Sequence, residues 1–249
     1  MKLAQLTWPE VDALDRARTV VLLPTGSLEQ HGPHLPLFTD SLLVTAVAEA
    51  VEAHLPEQVL LLPTLWLGAS GHHLGFPGTV SASLAGYQQA VVAALDSLAQ
   101  NGFLVAYIVN GHGGNTSGND LAVRELKTRF PNITVGAAGY FEFIAPTVME
   151  QTLTGPFRTI RHACEAETSL MLHCHPQQVR MDRAVDDGLD PVPVVPGLGA
   201  TFAERTQDGV LGCATLATAE KGRVLFEAAV TGLAEACRAL SEGIHYQGR

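Results

Sequence analysis

The 249-residue chain carries 15 Lys and Arg against 25 Asp and Glu, a formal net charge of −10, with 47% apolar and 16% charged residues. That balance excludes a disordered chain and a plain nucleic-acid binder, which needs a basic face to neutralise phosphate. No uninterrupted apolar run reaches the ~18–20 residues of a membrane span, so the mean hydropathy of +0.17 points to a buried interior. Met1–Glu10 lacks the apolar h-region of a signal peptide.

Thr19–Leu23 (TVVLL) is short, β-branched and apolar, and reads as a buried strand ending at Pro24. Thr39–Leu55 has apolar residues at helical spacing, with Thr39 as N-cap and Asp40 in the first turn, where negative charge is favoured. Val59–Leu62 predicts a second strand, Leu84–Asn101 a helix closed by Gly102, and Phe103–Val109 a third strand. Thr116–Phe130 predicts a helix stopped by Pro131, and Ile133–Ala138 a fourth strand. Alternation of strand and helix indicates a mostly parallel sheet with helices on both faces. Further on, Ala163–His173 has helical spacing, Asp186–Gly199 reads as a proline-rich loop, and Ala219–Ala239 predicts a last helix. No linker divides the chain, so residues 1–249 read as one domain. Cys164, Cys174, Cys213 and Cys237 show no CxxC pairing and read as reduced, mostly buried thiols of a cytoplasmic protein.

In open parallel sheets ligands bind beyond the carboxyl ends of the strands. Four polar, glycine-rich segments fall there: Gly26–Asp40, Gly68–Ser81, Asn110–Asn115 and Gly139–Phe143. The first holds Glu29, His31 and Asp40, a mixed set that suits a borderline divalent ion, although a solvated loop with a capping Asp40 has the same composition. Asn110–Asn115 lacks the third glycine of a dinucleotide loop, so its glycines serve to present His112. Arg161–Ser169 adds His162, Glu165 and Glu167. The two glutamates differ by about 200° around a helix, so one helix cannot aim both at one ion. His162 and Glu165 are i,i+3 neighbours and could share a face. His173-Cys174-His175 has no distant partner of its own and reads as structural.

PTGSLEQHGPHLPLFTD at Pro24–Asp40, FPGTVS at Phe76–Ser81 and VNGHGGN at Val109–Asn115 are the most distinctive segments. With HACEAETSLML at His162–Leu172 and ATAEKG at Ala217–Gly222, the set resembles the creatininase family of metal-dependent amidohydrolases. The resemblance implies a three-layer α/β/α sandwich holding two divalent ions per subunit, Zn²⁺, Mn²⁺ or Fe²⁺. It implies Glu29, Asp40 and His112 as ligands of one ion, and His31 with the shared Asp40 as ligands of the other. Creatininase proper has a glutamate two residues after the histidine of the NGH motif, where this chain has Gly114. It has an apolar residue where this chain has Glu165, so Glu165 is expected to supply the missing carboxylate. A water activated between the ions would attack the amide, and His162 would carry the proton to the leaving nitrogen. Ser70 and His73 match the family's substrate loop, or serve only as turn residues. Phe141 and Arg158 stand where creatininase proper encloses creatinine with two tryptophans, which favours another small amide, one bearing a carboxylate or phosphate; Arg161 is a second candidate for that contact. Relatives hydrolyse a formamidopyrimidine intermediate and the precursor peptide of a redox cofactor, and the family assembles as hexamers built from dimers. A homo-oligomer is therefore expected, with no nucleic-acid or membrane partner. Two other readings of the residues stay open: a nucleotide- or sugar-binding module without catalysis, and a dinuclear-metal phosphoesterase.

Overall fold

The computed structural model describes residues 1–188, 195 and 197–244. In chain order the main elements are α1 (Trp8–Asp12), β1 (Val20–Thr25), α2 (Thr39–His54), β2 (Val59–Leu61), α3 (Leu84–Gln100), β3 (Val105–Asn110), α4 (Thr116–Arg129) and β4 (Thr134–Gly139). Then come α5 (Pro146–Thr152), α6 (Glu165–Cys174), β5 (Asp186–Asp187), α7 (Phe202–Arg205), β6 (Gly212–Cys213) and α8 (Ala219–Ser241).

The strands β2-β1-β3-β4 form one sheet, every pair parallel. Successive side chains leave a strand on opposite faces, and both faces of this sheet are covered. Val20, Leu22, Val105 and Val109 pack with Leu43, Val47, Leu170, Leu225 and Leu233 of α2, α6 and α8. Val21, Leu23, Ala106 and Ile108 pack with Tyr87, Val91, Leu95, Ala122 and Leu126 of α3 and α4. Burial on both faces is why the strands read as unbroken apolar runs. The chain moves outward from β1 to β2, then crosses back past β1 to β3. That reversal leaves a crevice at the carboxyl ends of β1 and β3. There the Thr25 hydroxyl donates to Asn110 Oδ1 (3.1 Å), and the Gly111 amide donates to the Thr25 carbonyl (2.8 Å).

Three sequence expectations change. Thr39 does not cap α2: Phe38 occupies that position, and the Thr39 hydroxyl donates to the Pro36 carbonyl. Strand β3 starts at Val105, because Phe103 is buried in the core with its amide on the Leu98 carbonyl, closing α3. Asp186–Gly199 is not loop throughout, since β5 pairs antiparallel with β6; its residues 189–194 and 196 lie outside the described residues. Among the described residues no helix is long and apolar enough to cross a membrane. All four cysteines are unbonded, and Cys164, Cys213 and Cys237 are buried.

Helices α6 and α8 meet at Gly222, where an added Cβ would overlap the Ser169 carbonyl. Both partners there are backbone held within helices, so neither can yield cheaply. Gly222→Ala is expected to lower the unfolding free energy by about 3 kcal/mol, read as a lower urea midpoint with an unchanged m-value.

Candidate metal centre

Four segments converge on the crevice. The loop after β1 carries Glu29, Gln30 and His31, and Asp40 follows in the first turn of α2. His112 follows β3, and His162 and Glu167 come from the turn into α6 and from α6 itself. The backbone is locked before any side chain is considered. Asn115 Nδ2 donates to the Gly26 carbonyl (2.9 Å), and its Oδ1 accepts from the Ala69 amide (2.9 Å). The Glu29 amide donates to the Leu37 carbonyl (2.9 Å), folding the loop back on itself.

Asp40 is the hub. Its Oδ1 lies 3.0 Å from His31 Nε2, and its Oδ2 lies 3.0 Å from His112 Nδ1 while accepting the Ser27 hydroxyl at 2.8 Å. Glu29 Oε2 lies 3.2 Å from His112 Nε2, and Glu29 Oε1 lies 3.2 Å from His73 Nε2. All these residues are buried. Their donor atoms close into three compact groups: Glu29 with Asp40 and His112, His31 with Asp40 and Glu167, and Glu29 with His31 and His162.

Both oxygens of Glu29 and Oε2 of Glu167 are buried with no hydrogen-bond partner. Carboxylate oxygens left so are costly unless something else neutralises them. The neighbouring imidazole nitrogens come close to Glu29 without lining up as donors, and the ligand atoms of each group lie within 4.8 Å of one another. Mixed carboxylate and imidazole donors of this kind suit borderline divalent cations. His31 is also oriented for ligation, since its Nδ1 donates to the Glu29 carbonyl (3.2 Å), which turns Nε2 toward Asp40.

Glu165 does not stand with His31. Its carboxylate accepts from the Thr154 amide (2.9 Å), the Gly155 amide (2.9 Å) and Lys221 Nζ (2.6 Å). The i,i+3 relation to His162 fails because α6 begins at Glu165 itself. His162 lies before the helix, and the intervening Ala163 takes φ +48°, the left-handed region. Glu167, two residues on, faces the opposite side and reaches His31 and Asp40.

The remaining site expectations divide. Ser70 is buried with its Oγ 3.3 Å from His112 Nε2, and His73 is buried beside Glu29. Phe141 packs edge-on to Tyr140, ring centres 5.4 Å apart, as part of the core under α8. Arg158 is exposed and reaches only the Glu150 carbonyl, at 3.5 Å. Arg161 lies 3.8 Å over the Phe157 ring. The His173–His175 stretch contributes to none of the three groups. Sequence reasoning did not single out Gln30 or Phe202. Phe202 stacks on His73 (3.9 Å between centres) and meets His162 edge-on (4.5 Å), roofing the histidines. It sits on the four-residue α7, which has no periodicity to announce it.

The electrostatics fit a cation site. Burial alone would lower the His31 pKa, but the adjoining Asp40 charge overrides it and lifts it to about 9. His112 is likewise held well above its ordinary value by Glu29 and Asp40, against burial. Burial raises Glu167 to about 8, aided by the repulsion of Asp40 and Glu29. His31 and Glu167 therefore hold protons at neutral pH, and His112 is biased toward its protonated form. Cations bind the deprotonated forms, so loading must release protons and affinity must fall as pH falls. Between about pH 8 and about pH 6 we expect the apparent affinity to drop about tenfold per pH unit for each proton displaced. Chelator competition across that range measures it.

The sequence profile of the creatininase family, described as creatinine amidohydrolase, matches residues 4–237. The chain belongs to the creatininase family. This creatininase-family chain is 35% identical to creatinine amidohydrolase of Pseudomonas putida, over 94% of this chain and 95% of that protein. It is 36% identical to the mycofactocin precursor peptide peptidase of Mycobacterium tuberculosis, over 84% of this chain and 81% of that protein. A solved mutant creatininase of the Zn–Zn type superposes with a TM-score of 0.82 at 34% identity, covering 95% of this chain and 96% of that one. The creatininase-like three-layer α/β/α architecture and the hydrolysis of a C–N amide bond follow from these likenesses, and the buried donor groups are those of a divalent-metal enzyme.

Proposed function

We propose that this protein hydrolyses a small amide at two divalent cations, one held by Glu29, Asp40 and His112, the other by His31, Asp40 and Glu167. The observation that carries this reading is the sharing of Asp40 between two buried donor groups. Bound ions would supply the Lewis acidity that acidifies a water and polarises the amide carbonyl. The chain's own residues do the rest. Asp40 and the two glutamates would neutralise the cations in a buried site, where electrostatic effects are strong. His162, with Nδ1 3.7 Å from Glu29 Oε1, moves the proton toward the leaving nitrogen. Phe202 keeps water from the far side of that imidazole. Arg161 and Arg205 (the latter over Phe202 at 5.5 Å) make no ion pair among the described residues, which favours an amide that also carries a carboxylate. Arg158, turned outward, is a poor wall for a flat ring, so creatinine is not the substrate we favour.

The reading includes a homo-oligomer, hexameric as in the family, to which exposed Trp8 (80%) and Leu74 (61%) lend apolar surface. Four unbonded thiols accord with the reducing cytoplasm. The decisive experiment is elemental analysis of the purified protein beside a screen of carboxylated formamides, cyclic amides, short peptides and phosphate esters. Two equivalents of metal, with amide turnover lost to chelator, are expected. Turnover of phosphate esters alone, or no bound metal, would overturn the proposal.

A further inference from the structure

We propose that Gln30 is a positioning residue that fixes the ring proton on Nε2 of both His73 and His162. The hydrogen bonds leave one solution. Gln30 Oε1 accepts the Gly32 amide at 2.9 Å, and a backbone N–H can only donate. Gln30 Nε2 faces the Gly209 carbonyl at 3.0 Å, and a carbonyl can only accept. The amide orientation is thus set from both ends. His162 Nε2 lies 2.8 Å from the Gln30 main-chain carbonyl, so it must carry the proton. It therefore cannot accept from Gln30 Nε2, although the two nitrogens are 3.0 Å apart. The second amide hydrogen of Gln30 goes to the other nitrogen within reach, His73 Nδ1, at 3.0 Å. A neutral His73 then carries its proton on Nε2, beside Glu29 Oε1 at 3.2 Å.

The Gln30 amide hydrogen leaves His73 Nδ1 no room for a proton, and His162 Nδ1 makes no hydrogen bond among the described residues, the nearest Glu29 oxygen being 3.7 Å away. The consequences separate two histidines that are close in space, ring centres 4.5 Å apart. With its proton on Nε2, the nitrogen 3.2 Å from Glu29 Oε1, His73 cannot ligate a cation there. His162 presents a bare Nδ1 to the site, free to take a proton. One residue, with its main-chain carbonyl and its side-chain amide, sets both.

The role of His162 rests on the function proposed above, but the proton positions do not, and the test keeps them apart. Neutron diffraction from crystals of the deuterated, zinc-loaded protein reads them directly. Deuterium on Nε2 and none on Nδ1 of both rings is expected; deuterium on Nδ1 of either ring overturns the proposal, whether or not a substrate has been found. Gln30→Met removes the side-chain amide at similar size. For an amide that the wild-type protein turns over, kcat is expected to fall about 10–100-fold with KM within about threefold and zinc content unchanged. An unchanged kcat, or a loss confined to KM, counts against Gln30. If the variant does not fold, the neutron result on the wild-type protein still decides.

Discussion

Asp40→Asn is expected to empty both cation positions at once and to abolish turnover, by at least about 10³-fold. The expectation follows from the two oxygens of one carboxylate serving different imidazoles, Oδ1 toward His31 and Oδ2 toward His112. An asparagine offers one carbonyl oxygen without charge, and its amide nitrogen would point a hydrogen at the second position. The fold should survive, because Asn can still accept the Ser27 hydroxyl that holds Asp40 in place. Elemental analysis beside circular dichroism checks both halves. A folded variant that retained two ions would refute the shared-carboxylate geometry.

The second large effect separates two glutamates a single residue apart. Glu167→Gln should halve the metal content, from about two ions to about one, and lower kcat by about 10²–10³-fold. Glu165→Gln should leave the metal content alone and lower stability by about 1–3 kcal/mol. In that variant Lys221, 17% exposed, keeps a hydrogen-bond acceptor but loses its counter-charge. Titrating each variant with zinc and melting it in the metal-free form distinguishes the pair. Loss of an ion from Glu165→Gln, with none lost from Glu167→Gln, would reverse the assignment.

How much of this was legible beforehand depends on what kind of signal each residue leaves. The strands and long helices were readable because Val20–Leu23 and the apolar positions of α2 and α3 obey periods fixed by backbone geometry. The convergence of Glu29, His31, Asp40 and His112 was readable because parallel sheets bring strand ends to one edge. The choice between Glu165 and Glu167 was not. It turns on Ala163 entering the left-handed region, a backbone choice that Ala hides where Gly would have advertised it. Nor does the sequence show Glu165 held by Lys221, fifty-six positions away along the chain. Gln30 sits between two conspicuous candidate ligands, and its importance lies in contacts with Gly209 and His73 that only the folded chain creates.

The ligand segments come from widely separated parts of the chain, Glu29 near its start and Glu167 well past its middle. No fragment can therefore assemble the site, and closing it requires long loops to be brought together first. On the proposed reading, bound cations would act as a clasp fastened only after the sheet and α6 have docked. Metal supply would then become a determinant of how long the whole protein survives heat and protease, since every ion bound only by the folded form draws the unfolding equilibrium back.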